Sequence, residues 1–212
     1  MSIPTREEWL RALVERHGAR RQQAFSSATV AVCGLGGLGS NISIALTRAG
    51  IGKLILIDFD KVDITNLHRQ QYKASQIGMK KTDALWENLR EISPYTDLVT
   101  HTLKLDESNM YSILGSADII CEAFDKAEMK AMLVNYVLEN FPDKYILSGS
   151  GMAGFGSSNS ITTKKVTKRL YICGDGVSDV NDGIGLVSSR VMTCAAHEAH
   201  MVLRILSGET EA

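Results

Sequence analysis

Several features that mark special classes of protein are scarce or absent in this sequence. Its 212 residues include three prolines and four cysteines, and no two cysteines form a Cys-x-x-Cys pair. A structural zinc site built from paired cysteines is therefore not expected. The apolar runs are far shorter than the roughly 20 residues of a membrane span, and the first residues carry no apolar stretch of the signal-peptide type. We therefore predict a cytoplasmic protein with no membrane partner.

An excess of charge of one sign is also lacking. The 23 basic and 24 acidic residues give a formal net charge of −1. Non-specific binding of nucleic acid usually requires a basic excess, so a nucleic-acid partner is not expected. Hydrophobic residues make up 44% of the chain and charged residues 22%, which is ordinary for a globular protein. The length is sufficient for one large domain, which we predict over residues 1–212.

Short apolar runs alternate with amphipathic stretches along most of the chain. This alternation predicts an α/β fold: a Rossmann-like, largely parallel sheet with helices on both faces, plus a C-terminal antiparallel extension and a closing helix. The expected parts are an N-terminal helical segment (5–27), a core (29–148) and the extension (149–206). Predicted strands lie at 29–33, 53–57, 97–103, 117–122, 145–147, 159–163 and 169–173. Predicted helices lie at 5–27, 40–49, 81–91, 106–114, 126–140 and 188–206.

A glycine-rich turn, Gly34-Leu35-Gly36-Gly37-Leu38-Gly39, follows the first predicted strand. We assign Gly34 to the tight turn, Gly36 to the close approach of a phosphate, and Gly39 to packing of helix on strand. The free N–H groups at the start of the following helix favour an anion. Asp58, at the end of the second strand, is placed to hold a ribose hydroxyl. This pattern fits NAD and ATP alike.

Three further polar residues favour a triphosphate. Asn66 and Arg69 follow Asp58 in the same loop, and Lys81 begins the next predicted helix. ATP carries about four negative charges, which nucleotidyl transfer offsets with Lys, Arg and metal, whereas the diester pyrophosphate of NAD needs less. The alternative interpretation is that Arg69 and Lys81 are solvated surface charges.

Asp125 stands where the fourth predicted strand ends. A carboxylate there can hold Mg²⁺ while substrate phosphates complete the coordination shell. The alternative is an N-cap of the helix that follows, which is the commoner role for an isolated Asp.

Cysteine and histidine residues are interpreted as packing groups. Cys33 and Cys121 end apolar runs, which is typical of buried side chains rather than reactive thiols. Cys194, His197 and His200 are spaced three apart on the closing helix. That spacing turns too far around a helix for three metal ligands to converge, which favours a packed or dimer-facing helix.

Taken together, these motifs resemble the ThiF/MoeB/HesA family, relatives of ubiquitin-activating enzymes. The resemblance rests on the glycine turn, the Asp-x-Asp…Asn-Leu-x-Arg-Gln segment (58–70), Gly78…Lys81 and Asp125, and it covers about residues 5–206. The chain is most similar to the compact second ThiF group of thiamine biosynthesis. The resemblance implies ATP-dependent adenylation of the C-terminal glycine of a small ubiquitin-like sulfur carrier of the ThiS type, which ends in Gly-Gly.

The resemblance also implies ATP and Mg²⁺ as cofactors and a homodimer as the assembly. The core 29–148 would bind nucleotide, and the extension 149–206 would bind the carrier, with the Gly149–Ser158 stretch admitting its tail. The implied nucleotide contacts are Gly34, Gly36, Gly37, Gly39, Asp58, Asp60, Asn66, Arg69, Gln70 and Lys81. The implied catalytic residues are Arg69, Lys81, Asp125, which would hold the metal, and Arg16. Arg16 would reach the partner's ATP, with Arg11, Arg20 and Arg21 as alternatives.

The chain departs from the family pattern in three respects, and other functions stay open. One is His68, where Asn or Gln is commoner, which we interpret as tolerated. The chain also lacks the two Cys-x-x-Cys pairs of many members. Cys173 lies where some members use a cysteine, but its neighbours do not match, so a covalent thioester step is not expected. The same family also includes enzymes for a molybdopterin carrier of the MoaD type and tRNA-modifying dehydratases. More distant alternatives are an NAD-dependent oxidoreductase, which would not require Arg69, Lys81 or Asp125, and a non-catalytic binding scaffold.

Overall fold

Seven strands form one sheet in the computed structural model of the protein, which describes residues 3–212. The strand order is β3-β2-β1-β4-β5-β7-β6. All neighbouring pairs are parallel except β6 and β7, which are antiparallel. The strands are β1 (Thr29–Cys33), β2 (Lys53–Ile57), β3 (Asp97–His101), β4 (Ile119–Glu122), β5 (Tyr145–Gly149), β6 (Thr162–Lys165) and β7 (Leu170–Gly174). The predicted Rossmann-like fold is confirmed.

Seven α-helices accompany the sheet in the described residues. They are α1 (Arg6–His17), α2 (Ala19–Ser27), α3 (Gly37–Ala49), α4 (Lys81–Ile92), α5 (Met110–Leu114), α6 (Ala127–Asn140) and α7 (Ser188–Leu206). Of these helices, none is long and apolar enough to cross a bilayer.

The strands are apolar on both sides because both faces of the sheet are covered. Val30 and Val32 of β1 belong to the core that α3, α4 and α7 close, and Ala31 and Cys33 to the core beneath α5 and α6. Such continuous burial is the rule for parallel strands. The predicted burial of Cys33 and Cys121 is confirmed, since neither side chain reaches solvent.

Two predicted helices differ from the structure. The segment 5–27 is two helices rather than one, because Gly18 takes a positive φ of 80° that ends α1. The helix predicted from Asp106 begins at Met110. The Asp106 carboxylate instead accepts the Ser108 N–H at 2.9 Å, which makes a local turn before the helix. The other boundaries shift by a few residues.

Two buried glutamates lie where β4 meets α7. Glu122 accepts hydrogen bonds from the Phe124 N–H and from the ammonium group of Lys130, both at 2.7 Å. Glu198 of α7 is equally buried, yet neither of its carboxyl oxygens has a hydrogen-bond partner in the described residues. Burial raises the pKa of Glu198 well above its usual range; Lys130 opposes that shift and Glu122 reinforces it. Burial therefore favours the neutral form of Glu198 in the folded protein.

Replacing Glu198 with glutamine is expected to stabilise the protein at pH 8. The unfolded chain releases the Glu198 proton above about pH 4.3 while the folded protein keeps it, so stability falls as pH rises from that value. The amide is isosteric and does not titrate, which removes this loss. Thermal unfolding from pH 4 to 8 should show a melting-temperature gain that grows with pH, by about 2–4 °C for each kcal/mol recovered.

The matched control is Glu122→Gln, which leaves the partly buried Lys130 without its ion-pair partner. We expect that variant to melt below the parent at pH 8. A lower melting temperature for Glu198→Gln at pH 8 would contradict the assignment of a neutral Glu198.

Candidate functional site

A cavity of about 990 Å³ opens at the carboxyl edge of the parallel strands. This is the edge where open α/β sheets bind their ligands. Ten of the twelve predicted site residues line it, and Gly39 and Arg16 do not. The ten are Gly34, Gly36, Gly37, Asp58, Asp60, Asn66, Arg69, Gln70, Lys81 and Asp125.

The glycine turn is built so that one glycine faces open space. Gly34 has a φ of +93°, and a Cβ there would lie 2.7 Å from the Ala123 carbonyl oxygen. A Cβ on Gly39 would lie 1.8 Å from the Gly34 carbonyl oxygen. At Gly36, by contrast, the nearest atom to a Cβ would be the Gln70 amide nitrogen at 3.8 Å. Gly34 and Gly39 therefore shape the turn, and Gly36 presents bare backbone to a ligand.

An acidic pair anchors this turn to the second strand. The Asp58 carboxylate accepts the backbone N–H groups of Leu35 and Asp60, each at 2.7 Å. Lys81 is buried and its ammonium group lies 2.9 Å from an Asp60 oxygen and 4.0 Å from an Asp58 oxygen. A carboxylate has about four acceptor sites, so Asp58 keeps capacity for a ribose hydroxyl. The positive charge of Lys81 is therefore compensated by the two carboxylates.

The loop after Asp58 presents buried polar atoms that have no protein partner. The Asn66 side-chain oxygen accepts the Asp63 N–H and so stabilises the first turn of this loop. Arg69 donates only to the Thr65 carbonyl at 3.2 Å and approaches the His68 ring at 3.4 Å. Among the described residues, Arg69 Nε and Gln70 Oε1 are buried without a hydrogen bond.

Such orphaned groups cost free energy unless a ligand or water meets them. Burial lowers the pKa of Arg69, and the charge of Asp125 opposes that shift, which places the two groups near one another. The aliphatic part of Arg69 lies beside Gly37, where a Cβ would be 3.6 Å from Arg69 Cδ. A partly desolvated guanidinium next to the glycine turn fits a phosphate group.

Asp125 is exposed and does not cap the helix that follows it. The N-cap of α6 is Lys126, without a side-chain capping bond, so the alternative prediction of an Asp125 cap is wrong. Within residues 3–212 no cluster of three or more metal-ligating side chains occurs. One carboxylate that shares a cation with substrate phosphates is the usual protein contribution to a Mg²⁺ site. Asp125 fits that donor set.

The N-terminal arginines lie outside the cavity of their own chain. Arg16 is exposed in the last turn of α1, a helix without a buried residue in its length. Arg21 forms an ion pair with Glu209 at 3.3 Å. A role for Arg16 at this chain's own cavity is therefore not supported by its position.

The cysteines are placed for packing. Cys173 is fully buried in β7, and burial raises the pKa of its thiol, with the nearby Glu198 adding to the shift. Cys194 is buried and its thiol donates to the Cys173 carbonyl at 3.3 Å, whereas His200 is exposed. The interpretation of Cys194 as a packing group is confirmed.

Sequence reasoning missed several groups around the cavity. Lys130 lines it, held by Glu122, and Arg190 ties together two loops that line it. Arg190 belongs to no short motif, and its partners lie 15 to 37 residues away along the chain. Lys130 lies in the segment Glu122-Ala123-Phe124-Asp125…Glu128-Met129-Lys130, which carries the resemblance to the second ThiF group, but its ion pair with Glu122 was not predicted. The signal that the two residues share is that each is a basic residue on a predicted amphipathic helix.

The cavity lies within a stretch of sequence that matches a known protein family. The sequence model of the ThiF family matches residues 10–212. The chain belongs to the ThiF family. The match includes the whole sheet and every cavity residue described above.

Curated relatives of this ThiF-family chain are longer proteins. It is 33% identical over 142 residues to the "Adenylyltransferase and sulfurtransferase MOCS3" of Caenorhabditis briggsae, which covers 66% of this chain and 35% of that protein. It is 33% identical over 195 residues to the "Adenylyltransferase and sulfurtransferase UBA4" of Lodderomyces elongisporus, which covers 88% of this chain and 42% of that protein. The chain thus spans well under half of these relatives.

Solved structures show the same fold as this ThiF-family member. The E. coli tRNA N6-threonylcarbamoyladenosine dehydratase TcdA in complex with ATP superposes with a TM-score of 0.86 at 20% identity, over 98% of both chains. Its AMP complex gives a TM-score of 0.85 at 20% identity over 99% of this chain and 98% of that chain. Identity at this level establishes the shared architecture alone.

Proposed function

We propose that the protein is an ATP-dependent adenylyltransferase that activates the C-terminal glycine of a small ubiquitin-like sulfur carrier. The observation that carries this proposal is the unpartnered, buried Nε of Arg69, whose side chain lies beside Gly37 of the glycine turn. The bare backbone of Gly36 lines the same cavity. Lys81 and Asp125 line the same cavity. Four separate parts of the chain thus supply cations, amides and a carboxylate at the end of one sheet, which is the set that a triphosphate requires.

The chemistry needs alignment and charge compensation more than a base. A carboxylate oxygen of the carrier's terminal glycine attacks the α-phosphorus of ATP, and the bond to the pyrophosphate oxygen breaks. The carboxylate is already ionised, so no side chain has to remove a proton. Gly36 backbone, Arg69 and Lys81 would spread the phosphate charge, and Asp58 would fix the ribose. Mg²⁺ held by Asp125 would supply further charge compensation when bound.

The names of the curated relatives combine two activities, and the structure supports the first of them. Transfer of sulfur through the protein would require an accessible thiol of lowered pKa. All four cysteines are buried, and burial raises the pKa of each thiol. We therefore propose adenylation without a covalent thioester step.

We propose a ThiS-type carrier of thiamine thiazole synthesis as the acyl substrate, with residues 149–206 as the part that receives it. A MoaD-type carrier would use the same chemistry. The tRNA-modifying dehydratase is a second candidate, favoured by the similarity to TcdA along nearly the whole of both chains. An NAD-dependent oxidoreductase is the weakest candidate, because it would leave Arg69, Lys81 and Asp125 without a use.

The deciding experiment is ATP–pyrophosphate exchange with purified protein. We expect exchange with ATP, Mg²⁺ and a ThiS-type carrier that ends in Gly-Gly, and none with a carrier that lacks the last glycine. AMP formation with a tRNA bearing N6-threonylcarbamoyladenosine, without carrier-dependent exchange, would instead support the dehydratase. Binding of NAD and failure to bind ATP would refute both.

We further propose that the enzyme is a homodimer in which Arg16 reaches the partner's ATP. Arg16→Ala is expected to lower carrier-dependent exchange by about tenfold or more, because one cation is lost from the transition state. Folding should be preserved, since Arg16 is exposed. The same change at Arg11, Arg20 and Arg21 identifies the arginine if Arg16→Ala is fully active.

Mixing inactive subunits tests whether the arginine acts across the dimer. Arg16→Ala and Asp125→Ala chains, unfolded and refolded together, would form mixed dimers that contain one intact site. Random pairing should then restore about a quarter of the parent activity per chain, as expected for a two-fold interface. Absence of any recovery in verified mixed dimers would place Arg16 outside the partner's site.

A further inference from the structure

Arg190 is a buried arginine at an unfavourable place in its helix. It lies in the first turn of α7, where the helix dipole disfavours a cation. Its guanidinium nevertheless makes five hydrogen bonds, so its position is determined by these partners. They are the carbonyls of Ala153 (3.0 Å), Gly156 (3.0 Å) and Ser157 (2.7 Å), the Ser160 hydroxyl (3.2 Å) and the Asp175 carboxylate (2.5 Å).

Asp175 extends this network into a second loop. Its carboxylate also accepts the Val177 and Ser178 N–H groups, each at 2.9 Å. Burial by itself would raise the pKa of Asp175, but the hydrogen bonds from Ser178, Val177 and Arg190 outweigh it and hold the pKa at about 2. The ion pair with Arg190 is therefore charged at neutral pH.

The two segments that this pair joins, 149–160 and 174–186, are called the loop wall here. Residues of both line the cavity, among them Ser150, Met152, Ser178 and Val180. The loop wall contributes none of the predicted nucleotide contacts, which come from the glycine turn and the loop after β2. One end of the cavity is thus available for a second substrate beside the nucleotide.

Four large apolar side chains of the loop wall are exposed among polar residues. Phe155 is 79% exposed and Val177 is 84% exposed, and Val180 and Ile184 are exposed as well. Small residues make up most of the segment 149–158, so its backbone would lose much freedom on binding a peptide. A guanidinium that fixes this backbone in advance lowers the entropic cost of binding.

We propose that Arg190 is a positioning residue for the acyl substrate. It holds the loop wall in the shape that admits the carrier's C-terminal tail, and it touches neither ATP nor the tail. This inference rests on the proposed adenylation of a carrier. Arginine is needed because its planar fork meets several acceptors at once, which a lysine ammonium on a flexible stem does not.

The test is Arg190→Lys, with Arg169→Lys as its matched control. Arg169 also donates to three backbone carbonyls, those of Leu138, Phe141 and Lys144, but it precedes β7 at the opposite edge of the sheet. For Arg190→Lys we expect the KM for a ThiS-type carrier to rise about tenfold. The KM for ATP and kcat should stay within about twofold, as expected when binding of one substrate alone is weakened.

Amide hydrogen exchange provides a readout that a general loss of stability would not reproduce. It should become faster in 149–160 and 174–186 for Arg190→Lys and remain unchanged there for Arg169→Lys. Asp175→Asn is a second variant, in which Arg190 keeps its neutral partners, and it should shift the carrier KM in the same direction by less. This variant decides the question if Arg190→Lys does not fold.

The outcomes separate this inference from the proposed function. If the parent protein shows no carrier-dependent exchange, the proposed function fails and the inference fails with it. If the parent is active but both Arg190→Lys and Asp175→Asn keep the parent carrier KM, only the inference is overturned. Equal increases of the carrier KM and the ATP KM would also overturn it, since they would show a general structural role.

Discussion

Replacement of Arg69 by methionine should abolish most ATP–pyrophosphate exchange and leave the nucleotide-free protein at least as stable as before. The expected loss is about 10²–10³-fold, the usual cost of removing one charged donor from a transition state of developing charge. Stability should not fall, because the guanidinium makes one long hydrogen bond and carries a buried, unpartnered Nε. Its desolvation is relieved when the charge is removed.

The measurement for Arg69 combines exchange rates with thermal unfolding in the presence and absence of ATP. ATP should raise the melting temperature of the parent, because a ligand that binds only the folded state stabilises that state. The increase should be much smaller for Arg69→Met. Arg48→Met is the matched control, because Arg48 is exposed in the last turn of α3. An ATP-induced shift of parental size in Arg69→Met would show that Arg69 does not contact the nucleotide.

Replacement of Asp125 by asparagine should lower ATP–pyrophosphate exchange by a comparable factor, but through weaker binding of Mg²⁺. The side chain keeps its shape but loses the charge that favours Mg²⁺, so exchange should fall about 10²–10³-fold, as when electrostatic stabilisation of a transition state is removed. The melting temperature should not change, because Asp125 is exposed and does not cap α6.

Magnesium titration distinguishes this metal role from a direct contact between Asp125 and the nucleotide. For Asp125→Asn the Mg²⁺ concentration at half-maximal rate should rise, while ATP binding measured without metal stays at the parental level. Asp143→Asn provides the control, since Asp143 is exposed just before β5, at the opposite edge of the sheet. A parental Mg²⁺ dependence in Asp125→Asn would refute the metal role of this carboxylate.

Local patterns were sufficient to predict most of the fold. The alternation of apolar runs with amphipathic stretches predicted the parallel sheet, because hydrophobic periodicity reflects whether a strand or helix is buried on one face or on both. Glycine at 34, 36 and 39 predicted a turn, and in the structure a Cβ at 34 or 39 would clash with backbone atoms. Gly18 was seen to interrupt the helical pattern of 5–27, but the division into two helices and the late start of α5 were not predicted, because both depend on short-range turn geometry.

Long-range partners could not be predicted. The motif residues were correctly brought to one edge of the sheet, but nothing in their spacing showed that Lys81 is engaged by Asp60 or that Arg69 Nε lacks a partner. Glu198 had no sequence signal, and Arg190 had only that of a basic residue on a predicted helix, since their environments are created by loops and strands far along the chain. Spacing also left the choice between a metal ligand and a helix cap open at Asp125.

The pairing of Lys81 with the carboxylates of Asp58 and Asp60 affects how the protein discriminates among anions. An open cluster of cations attracts any polyanion from a distance, and added salt weakens that attraction. Here the three groups Lys81, Asp58 and Asp60 carry a combined formal charge of −1, so Lys81 has its counterions within the protein. Inorganic phosphate and other small anions therefore gain little binding free energy from Lys81 alone. In the proposed ATP site, a nucleotide would be selected by its fit to the glycine turn after contact and not by attraction to Lys81 from a distance.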